Sequence, residues 1–585
     1  MLLNPIQKRI LVAASVLLWC TTALAQTTTR TTPAQPILRY DSVHHPVVGY
    51  RGMVVSQRGI ASHVGAQVLE SGGNAVDAAV AVGFALAVVL PRAGNLGGGG
   101  FMMIHTADGD VSVAVDFREM APAAAHRDIY LDDAGEVDRE AIRYSHRASG
   151  VPGTVAGLVH ALNRYGTLPL ATVMAPAIKL AEEGFELGYD TASAIVRREE
   201  RLRRHPYTES LFFHADKTPY QAGEQFRLPD LALTLQQIAA NGADGFYRGN
   251  VAKLIVAEMQ RGDGLITMTD LDNYRVVERL PVSGTYNGYR VLSMPPPSSG
   301  GIHLIQILNV LEYFPLDELG ANSAESLHIM AEAMKYAYAD RSEYLGDPDF
   351  YPVPVNWLTD KRYASEIAAK IKPRKARPST EIAPGRLPAP ESEDTTHYSV
   401  IDAEGNAVAV TYTLNFSFGS GVSVPGAGFL LNNEMDDFSA KPGVANAFGL
   451  LGKEANAVQA GKRPLSAMTP TIVLREGKPY LVTGSPGGSR IITTVLQHIV
   501  NVLEFEMNVA VANHAPRIHH QWYPDKLIYE SGVSPDTVSL LESYGHNVAR
   551  TNTMGSVQAI IFDGLRYQGS ADPRRPNAGV AVAIR

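Results

Sequence analysis

Two threonines at the start of a predicted strand are the residues of this sequence best placed to do chemistry. Thr395 and Thr396 follow the polar run 391–394, and the residues after them alternate in the manner of a strand. If the chain were cut before Thr395, that residue would supply both a hydroxyl nucleophile and a free amine. An α-amino group titrates near ~8, so it can serve as the base at neutral pH. On the residues alone, β-propensity explains the pair equally well, and Thr396 competes for the role.

The elements that must position this threonine can be read on both sides of it. Helices are predicted over 59–90, with a break at 71–74, and over 168–183, 231–240, 323–344 and 491–502. Strands are predicted at 101–105, 111–117, 407–414 and 471–474. The segment 372–394 is rich in proline and is predicted to be a linker. These elements indicate a mixed α and β protein and leave the architecture open.

Seven further motifs, in their order and spacing, closely resemble the γ-glutamyltranspeptidases (γ-glutamyltransferases). They are NLGGGGF at 95–101, DFREMAP at 116–122, PPPSSGG at 295–301, TLN at 413–415, LNNEMDDFS at 431–439, KRPLSAM at 462–468 and TGSPGGSR at 483–490. The resemblance covers nearly the whole chain after its leader. It implies an α+β fold, the four-layer αββα sandwich of the N-terminal nucleophile hydrolases. It also implies an enzyme that transfers γ-glutamyl groups from glutathione and related compounds to water or to amino acid and peptide acceptors.

The same resemblance assigns the catalytic residues. Thr395 is the expected nucleophile, both for autocatalytic cleavage after Asp394 and for the γ-glutamyl-enzyme ester. Thr413 is expected to hydrogen-bond it, although a β-branched residue in a strand needs no such role. Gly487 and Gly488 are expected to supply backbone N–H groups to the oxyanion, since glycine permits close approach. An ordinary turn is the alternative for the two glycines.

Substrate-binding residues are assigned in the same way. The γ-glutamyl α-carboxylate is expected to bind Arg118 and Ser466, because a guanidinium suits bidentate pairing. The α-ammonium is expected to bind three acceptors, Asn415, Glu434 and Asp437. Without the resemblance, Arg118 would be interpreted as a surface ion pair with Glu119 or Asp116, and the asparagines and aspartates of 432–437 as a solvated turn. No cofactor and no metal are expected.

The sequence departs from the family pattern at two places. Ala467 follows Ser466 where relatives often have a second serine, so one hydroxyl contact is expected to be missing. A neutral hydrogen bond is worth about 0.5–1.5 kcal/mol, so the loss of affinity should be modest. Phe448 replaces a tyrosine in the segment 442–462, which matches the loop covering the site in bacterial members. Looser closure of that loop is therefore expected.

Three segments are expected along the chain. Residues 1–25 are interpreted as a signal peptide, with Lys8 and Arg9 before an apolar run too short to span a bilayer and an Ala-Leu-Ala cleavage site at 23–25. Residues 26–394 are then the large subunit and 395–585 the small subunit, both building one composite domain. A periplasmic or secreted protein is expected, with no membrane attachment after the leader is removed.

Composition excludes other classes of function. Cys20 is the only cysteine, so a mature chain would have no disulfide, thiolate nucleophile or cysteine metal site. The net charge is −8 and no basic block occurs, which gives nucleic-acid binding no support. His514, His519 and His520 lack a recognised ligand spacing. Two alternatives remain open: a cephalosporin or glutaryl acylase of the same superfamily, and a non-catalytic protein that never matures.

Overall fold

Two large antiparallel sheets form the centre of the molecule. The computed structural model describes residues 42–383, 395–441, 443–447, 449–575 and 579–584. The predicted signal peptide, Asp394 of the predicted cleavage site and Phe448 lie outside this part. The compact unit that carries the fold begins at Pro46. Its strands are β1 (Val47–Gly49), β2 (Met53–Ser56), β3 (Gly99–His105), β4 (Ser112–Phe117), β5 (Phe185–Glu186), β6 (Gln225–Phe226), β7 (Val277–Arg279), β8 (Val282–Tyr286), β9 (Tyr289–Ser293), β10 (Thr395–Ile401), β11 (Ala407–Thr413), β12 (Thr471–Arg475), β13 (Lys478–Thr483), β14 (Ile518–His519), β15 (Leu527–Glu530), β16 (Val548–Thr551), β17 (Gln558–Phe562), β18 (Tyr567–Ala571) and β19 (Val580–Ala583).

Each large sheet has seven strands. One follows the order β1-β18-β17-β13-β12-β9-β8 and the other β19-β2-β10-β11-β3-β4-β7. In the second sheet β10 and β11 lie between β2 and β3, so strands from before residue 383 and after residue 395 are direct neighbours. The two parts of the chain therefore build one hydrogen-bonded sheet.

Helices pack against the outer face of both sheets. The helices of the described residues are Gly59–Glu70, Ala75–Val89, Arg139–Tyr144, Thr154–Tyr165, Leu170–Glu183, Tyr189–Arg197, Glu199–Leu202, Pro206–Phe212, Pro229–Asn241, Asp244–Tyr247, Gly249–Arg261, Met268–Asn273, Gly300–Leu311, Leu316–Leu319, Ala324–Tyr344, Val355–Leu358, Lys361–Ala368, Ile491–Leu503, Val509–His514 and Pro535–Ser543. The helix Ala75–Val89 packs on β10 and β11, whereas Gly300–Leu311 packs on β8 and β9. Because β10 and β11 also contact β13 and β17 of the other sheet, the layers are helix, sheet, sheet and helix. The expected αββα sandwich is confirmed.

The sequence predicted most of these elements because their signals are local. The break at 71–74 ends one helix at Glu70 and starts the next at Ala75, where Asn74 caps the helix by accepting from the backbone N–H groups of Val76 and Asp77. Every residue of Ala75–Val89 is buried, which explains its continuous apolar run. In the described part of the chain, no helix combines the length and apolar character needed to cross a bilayer.

Gly98 brings two backbones unusually close beside the end of β11. A Cβ built on Gly98 would lie 1.9 Å from the carbonyl oxygen of Thr413, far inside van der Waals contact. The run of four glycines at 97–100 resembles a phosphate-binding loop only superficially. At Gly98 the glycine is required by packing, since a side chain here would displace Thr413.

We expect Gly98→Ala to destabilise the fold by about 1–3 kcal/mol through overpacking and to slow maturation by shifting Thr413. Gly59→Ala is the matched control, because its new methyl meets only the side chain of the partly exposed Val580. Thermal unfolding and denaturing gels of both variants give the comparison. Unchanged melting and processing of Gly98→Ala would contradict the argument.

Candidate active site

Thr395 begins a central strand and faces a cavity. It is 5% exposed and pairs in register with Thr413 at the end of the neighbouring strand. The Oγ1 atoms of Thr395 and Thr413 are 3.2 Å apart, within hydrogen-bond distance. Side chains alternate between the faces of a strand, so Thr396 projects to the other face. Thr395 lines the cavity and Thr396 does not, which favours Thr395 as the nucleophile.

The residues after Thr413 hold its hydroxyl in place. The backbone N–H of Asn415 donates to Thr413 Oγ1 at 2.9 Å. Asn415 adopts a left-handed φ of 72°, a conformation uncommon outside glycine. Its Nδ2 donates to the carbonyl of Asn433 at 2.9 Å, which leaves the amide oxygen as the acceptor for the cavity. The Thr-Leu-Asn motif thus positions both the hydroxyl that contacts Thr395 and an asparagine side chain at the cavity wall.

Gly487 and Gly488 form the turn that leads into a helix. Their φ values are 138° and 53°, which side-chain-bearing residues rarely adopt. They open the 3₁₀ turn Gly488–Arg490, which continues into the helix Ile491–Leu503. Backbone N–H groups at a helix N-terminus lack partners within the helix and favour negative charge. Gly488 lines the same cavity as Thr395, so this N-terminus offers the cavity a site that favours negative charge.

Arg118 lies at the centre of a buried ion cluster. Its Nη1 is 2.5 Å from Glu434 Oε1 and 3.5 Å from Glu119, and its Nη2 is 2.5 Å from Asp437 Oδ2. Its Nε donates to the carbonyl of Pro464 at 3.2 Å. The arginine is 1% exposed. The alternative interpretation of Arg118 as a surface ion pair is therefore wrong.

Burial controls the protonation of this cluster. Desolvation raises the pKa of both Glu119 and Glu434 above the usual carboxyl range, although the charge of Arg118 opposes the shift. No N–H group of the described residues donates to the Glu119 carboxyl, which interacts with the carboxyl of Glu434. Two adjacent buried carboxyls beside one guanidinium favour retention of a proton. The cluster therefore carries less negative charge than its residue types suggest.

The asparagines before Glu434 are structural supports. Asn432 and Asn433 are fully buried, so the interpretation of 432–437 as a solvated turn is wrong. Asn432 Nδ2 donates to the carbonyls of Gly97 and Gly150, and its Oδ1 accepts from the N–H of Glu434. These contacts fix the start of the 3₁₀ turn Glu434–Asp437. The turn presents the carboxylates of Glu434 and Asp437 to Arg118.

One cavity brings these side chains together. Its lining contains every predicted site residue except Gly487. The full set of lining residues is Arg118, Arg341, Thr395, Thr413, Asn415, Glu434, Asp437, Leu450, Ser466, Ala467, Met468, Gly488 and Ile491. Leu450 belongs to the segment 442–462 that was expected to cover the site. Arg341 was missed by the sequence analysis, because it carried no motif signal. Glu119 was named there only as a surface partner of Arg118, whereas the structure buries the pair.

A second group of side chains has the geometry of a metal site. His328, Glu332 and His546 place ligand atoms within 4.8 Å of one another. These atoms are engaged: His328 Nε2 bonds the Lys372 carbonyl, His328 Nδ1 bonds His546 Nε2, and Glu332 accepts from Lys335 and the N–H of Arg377. A carbonyl only accepts, so His328 donates from Nε2 and accepts at Nδ1. Hydrogen bonding accounts for the cluster, and its residues do not fit a metal.

Comparison with known proteins identifies the family. A family model described as Gamma-glutamyltranspeptidase matches residues 61–582. The chain belongs to the gamma-glutamyltranspeptidase family. It is 55% identical to the glutathione hydrolase proenzyme of Escherichia coli (strain K12), over 93% of this chain and 94% of that protein.

Solved structures agree with the gamma-glutamyltranspeptidase assignment. The Helicobacter pylori gamma-glutamyltranspeptidase is 48% identical, with a TM-score of 0.57 over 59% of this chain and 97% of that one. A cephalosporin acylase from Bacillus halodurans is 28% identical, with a TM-score of 0.83 over 94% of this chain and 98% of that one. The fold is therefore shared by a gamma-glutamyltranspeptidase and a cephalosporin acylase. The substrate preference of this chain has to be inferred from its site residues and not from its fold.

We expect the stability of the variant Glu119→Gln, relative to the parent, to increase from pH 5 to pH 8. The pKa of Glu119 is higher in the folded protein than in the unfolded chain. The protonated carboxyl therefore contributes fully to the free energy of unfolding below the unfolded pKa. That contribution is lost as the pH rises towards the folded pKa. Glutamine does not titrate and escapes this loss. Melting temperatures of both proteins across the range test it.

Glu278→Gln is the control of opposite sign. Burial would raise the pKa of Glu278, but hydrogen bonds from His160 and Tyr165 lower it overall. The ionised Glu278 therefore contributes to the free energy of unfolding above its unfolded pKa. That contribution is lost as the pH falls through its folded pKa. A difference between Glu119→Gln and the parent that stays flat with pH would contradict the buried-carboxyl interpretation.

Proposed function

We propose that this chain is the precursor of a γ-glutamyl hydrolase and transferase acting on glutathione and related γ-glutamyl compounds. One observation carries the proposal: a single cavity contains the Thr395 hydroxyl, a glycine N–H at a helix start, and a cluster of guanidinium and carboxylate groups. The first two serve acyl transfer. The third matches a substrate head group that carries both an ammonium and a carboxylate.

Maturation is proposed to begin at the same threonine. The Thr395 hydroxyl attacks the carbonyl of Asp394, and the peptide C–N bond breaks as the amine of Thr395 takes a proton. Water then hydrolyses the resulting ester and frees the Asp394 carboxyl. With removal of a signal peptide at residues 1–25, this yields a large subunit of 26–394 and a small subunit of 395–585. The interleaved strands of the central sheet support their assembly into one composite domain.

Catalysis is proposed to use the new amine as base. The amine takes the proton of Thr395 Oγ1 as that oxygen attacks the γ-carbonyl, while Thr413 holds the hydroxyl. The N–H groups of Gly487 and Gly488 receive the oxyanion. Collapse breaks the amide C–N bond, the leaving amine takes a proton, and a γ-glutamyl ester remains on Thr395. Water or an acceptor amine then attacks the ester and restores the hydroxyl.

The donor's head group is proposed to bind in the ion cluster. Asn415, Glu434 and Asp437 would accept hydrogen bonds from the α-ammonium, and Arg118 with Ser466 would hold the α-carboxylate. Ser466 is buried at the cavity wall, where its hydroxyl accepts from the N–H of Met468. The segment 442–462 would cover the bound donor through Leu450.

An acylase acting on a glutaryl group is the second candidate. Ala467 and the likeness to the Bacillus halodurans cephalosporin acylase favour it. A glutaryl group has the carboxylate and lacks the ammonium, so it makes no use of three acceptors. The presence of Asn415, Glu434 and Asp437 in one cavity supports the γ-glutamyl alternative. We further propose export to the periplasm or the medium, on the evidence of the leader sequence.

Release of p-nitroaniline from γ-glutamyl-p-nitroanilide and from glutaryl-p-nitroanilide separates the two candidates. The γ-glutamyl compound should react faster in kcat/KM by at least about tenfold, because hydrogen bonds to a charged group contribute about 1.5–3 kcal/mol. Equal or reversed values would favour the acylase. Inactivity towards both would reject both candidates.

Thr395→Ala should remain a single uncut chain and should lack activity, because it removes the hydroxyl needed for both steps. Thr396→Val is the matched control, since that side chain lies outside the cavity and the variant should mature normally. Denaturing gels and N-terminal sequencing provide the readout. Cleavage of Thr395→Ala before residue 395 would reject the maturation mechanism.

Ala467→Ser should lower KM for γ-glutamyl-p-nitroanilide by about two- to tenfold, the range of one neutral hydrogen bond. Ala440→Ser is a matched control, because Ala440 is buried outside this cavity. An unchanged KM in Ala467→Ser would show that the missing hydroxyl does not contact the donor.

A further inference from the structure

The turn that carries Gly487 and Gly488 has to be held in place by its surroundings. N–H groups stabilise an oxyanion well only if they are already fixed in position before the reaction. Glycine has the least restricted backbone of all residues, and these two adopt φ values of 138° and 53°. Contacts made by the neighbouring residues must therefore supply the restriction that the glycines lack.

Ser489, the residue after the glycine pair, is held at both its carbonyl and its hydroxyl. It belongs to the 3₁₀ turn Gly488–Arg490 and is 2% exposed. The phenol of Tyr338 donates to the Ser489 carbonyl oxygen, and Ser489 Oγ donates to Gln521 Oε1 at 2.8 Å. Because a planar peptide joins Gly488 to Ser489, these two contacts limit the orientation of Gly488.

The contact with Gln521 continues into a buried chain of hydrogen bonds. Gln521 Nε2 donates to the carbonyl of Tyr523 at 3.2 Å, so Oε1 is the amide atom that faces Ser489. The same Oε1 accepts from His519 Nε2 at 2.9 Å, and His519 Nδ1 accepts from Thr493 Oγ1 at 2.9 Å. Burial lowers the pKa of His519 to about 3. The ring is therefore neutral at pH 7 and keeps one donor and one acceptor.

Tyr338 reaches the turn from the other part of the chain. It belongs to the helix Ala324–Tyr344, which precedes the predicted cleavage site, whereas Ser489 and Gln521 follow that site. Tyr338 is 3% exposed, and its ring meets the His519 ring edge to face, with 5.8 Å between the ring centres. In the proposed matured enzyme, a large-subunit residue would thus support a turn of the small subunit.

We propose that Tyr338 and Gln521 are positioning residues for the oxyanion site. Neither side chain lines the catalytic cavity, so both act through Ser489 on the N–H groups of the glycine turn. The proposal rests on the proposed function and adds to it the residues that make the oxyanion site rigid. Loss of either contact slows the reaction and leaves donor binding unchanged, because the oxyanion forms only after the donor has bound.

Tyr338→Phe tests the proposal, since it removes one hydroxyl and keeps the ring that packs on His519. In the cleaved enzyme, kcat for γ-glutamyl-p-nitroanilide should fall by about five- to fiftyfold, while KM stays within about twofold. Removal of a whole oxyanion donor costs about a hundredfold to a thousandfold; the smaller loss is expected because the donors here are displaced and not removed.

A tetrahedral probe measures the oxyanion site directly. In 2-amino-4-boronobutanoic acid, boron stands in place of the γ-carbonyl carbon, and a hydroxyl nucleophile converts it into a tetrahedral adduct. One oxygen of that adduct occupies the position of the oxyanion. The Ki of this boronate for Tyr338→Phe should therefore rise by about the same factor as kcat falls.

Tyr567→Phe is the matched control, because this buried tyrosine also donates to a backbone carbonyl, that of Asp402, at 2.9 Å. Asp402 follows the end of β10, whereas Thr395 begins that strand. Tyr567→Phe should lose thermal stability to a similar extent as Tyr338→Phe, with kcat and the boronate Ki unchanged.

An unchanged kcat in Tyr338→Phe, or a loss confined to KM, would overturn the proposal. A boronate Ki that stays constant while kcat falls would also overturn it. If Tyr338→Phe does not mature, the same criteria apply to Ser489→Ala, which removes only the contact with Gln521. A parent that neither cleaves γ-glutamyl-p-nitroanilide nor binds the boronate would instead reject the proposed function.

Discussion

The site depends on the register between β10 and β11. The antiparallel pair sets Thr395 opposite Thr413 and brings their hydroxyls to 3.2 Å. A slip of one residue would turn Thr396 towards the cavity and Thr395, the proposed nucleophile, to the other face. The register is secured on both sides, because β2 and β3 flank the pair and Gly98 leaves room for the Thr413 carbonyl. The same pairing holds the two parts of the chain together, so a cut before Thr395 leaves the central sheet intact.

The proposed recognition of the donor depends on a balance of buried charges. Arg118 alone cannot neutralise Glu119, Glu434 and Asp437, and burial raises the pKa of the two glutamates. Arg341, whose Nε donates to Ser299 Oγ, brings a second positive charge to the cavity wall. A ligand with one ammonium and one carboxylate adds no net charge and supplies a counter-ion to each side. Under the proposed function, this complementarity favours a γ-glutamyl group over a glutaryl group, a distinction that the shared fold does not make.

The sequence predicted what local pattern encodes. Thr395 at a strand start, the helix break at 71–74 and the glycine pair 487–488 each have a short-range signal, and the structure places Thr395 and Gly488 at one cavity. Burial and long-range contacts could not be predicted in this way. Asn432 and Asn433 have the composition of a solvated turn, yet both are fully buried. The carbonyls of Gly97 and Gly150 accept from Asn432, and Asn433 Oδ1 accepts from the N–H of Phe416. Arg341 lies in a helix far from the motifs, and only folding brings it beside Thr395.

Mass spectrometry of the acid-quenched enzyme tests the central claim most directly. The matured protein is mixed with a γ-glutamyl substrate, quenched during turnover and digested. We predict one γ-glutamyl group, attached as an ester to the peptide that begins with Thr395. A γ-glutamyl group on any other residue would contradict the account. So would turnover without a detectable acyl-enzyme in a protein whose small subunit begins at a residue other than Thr395.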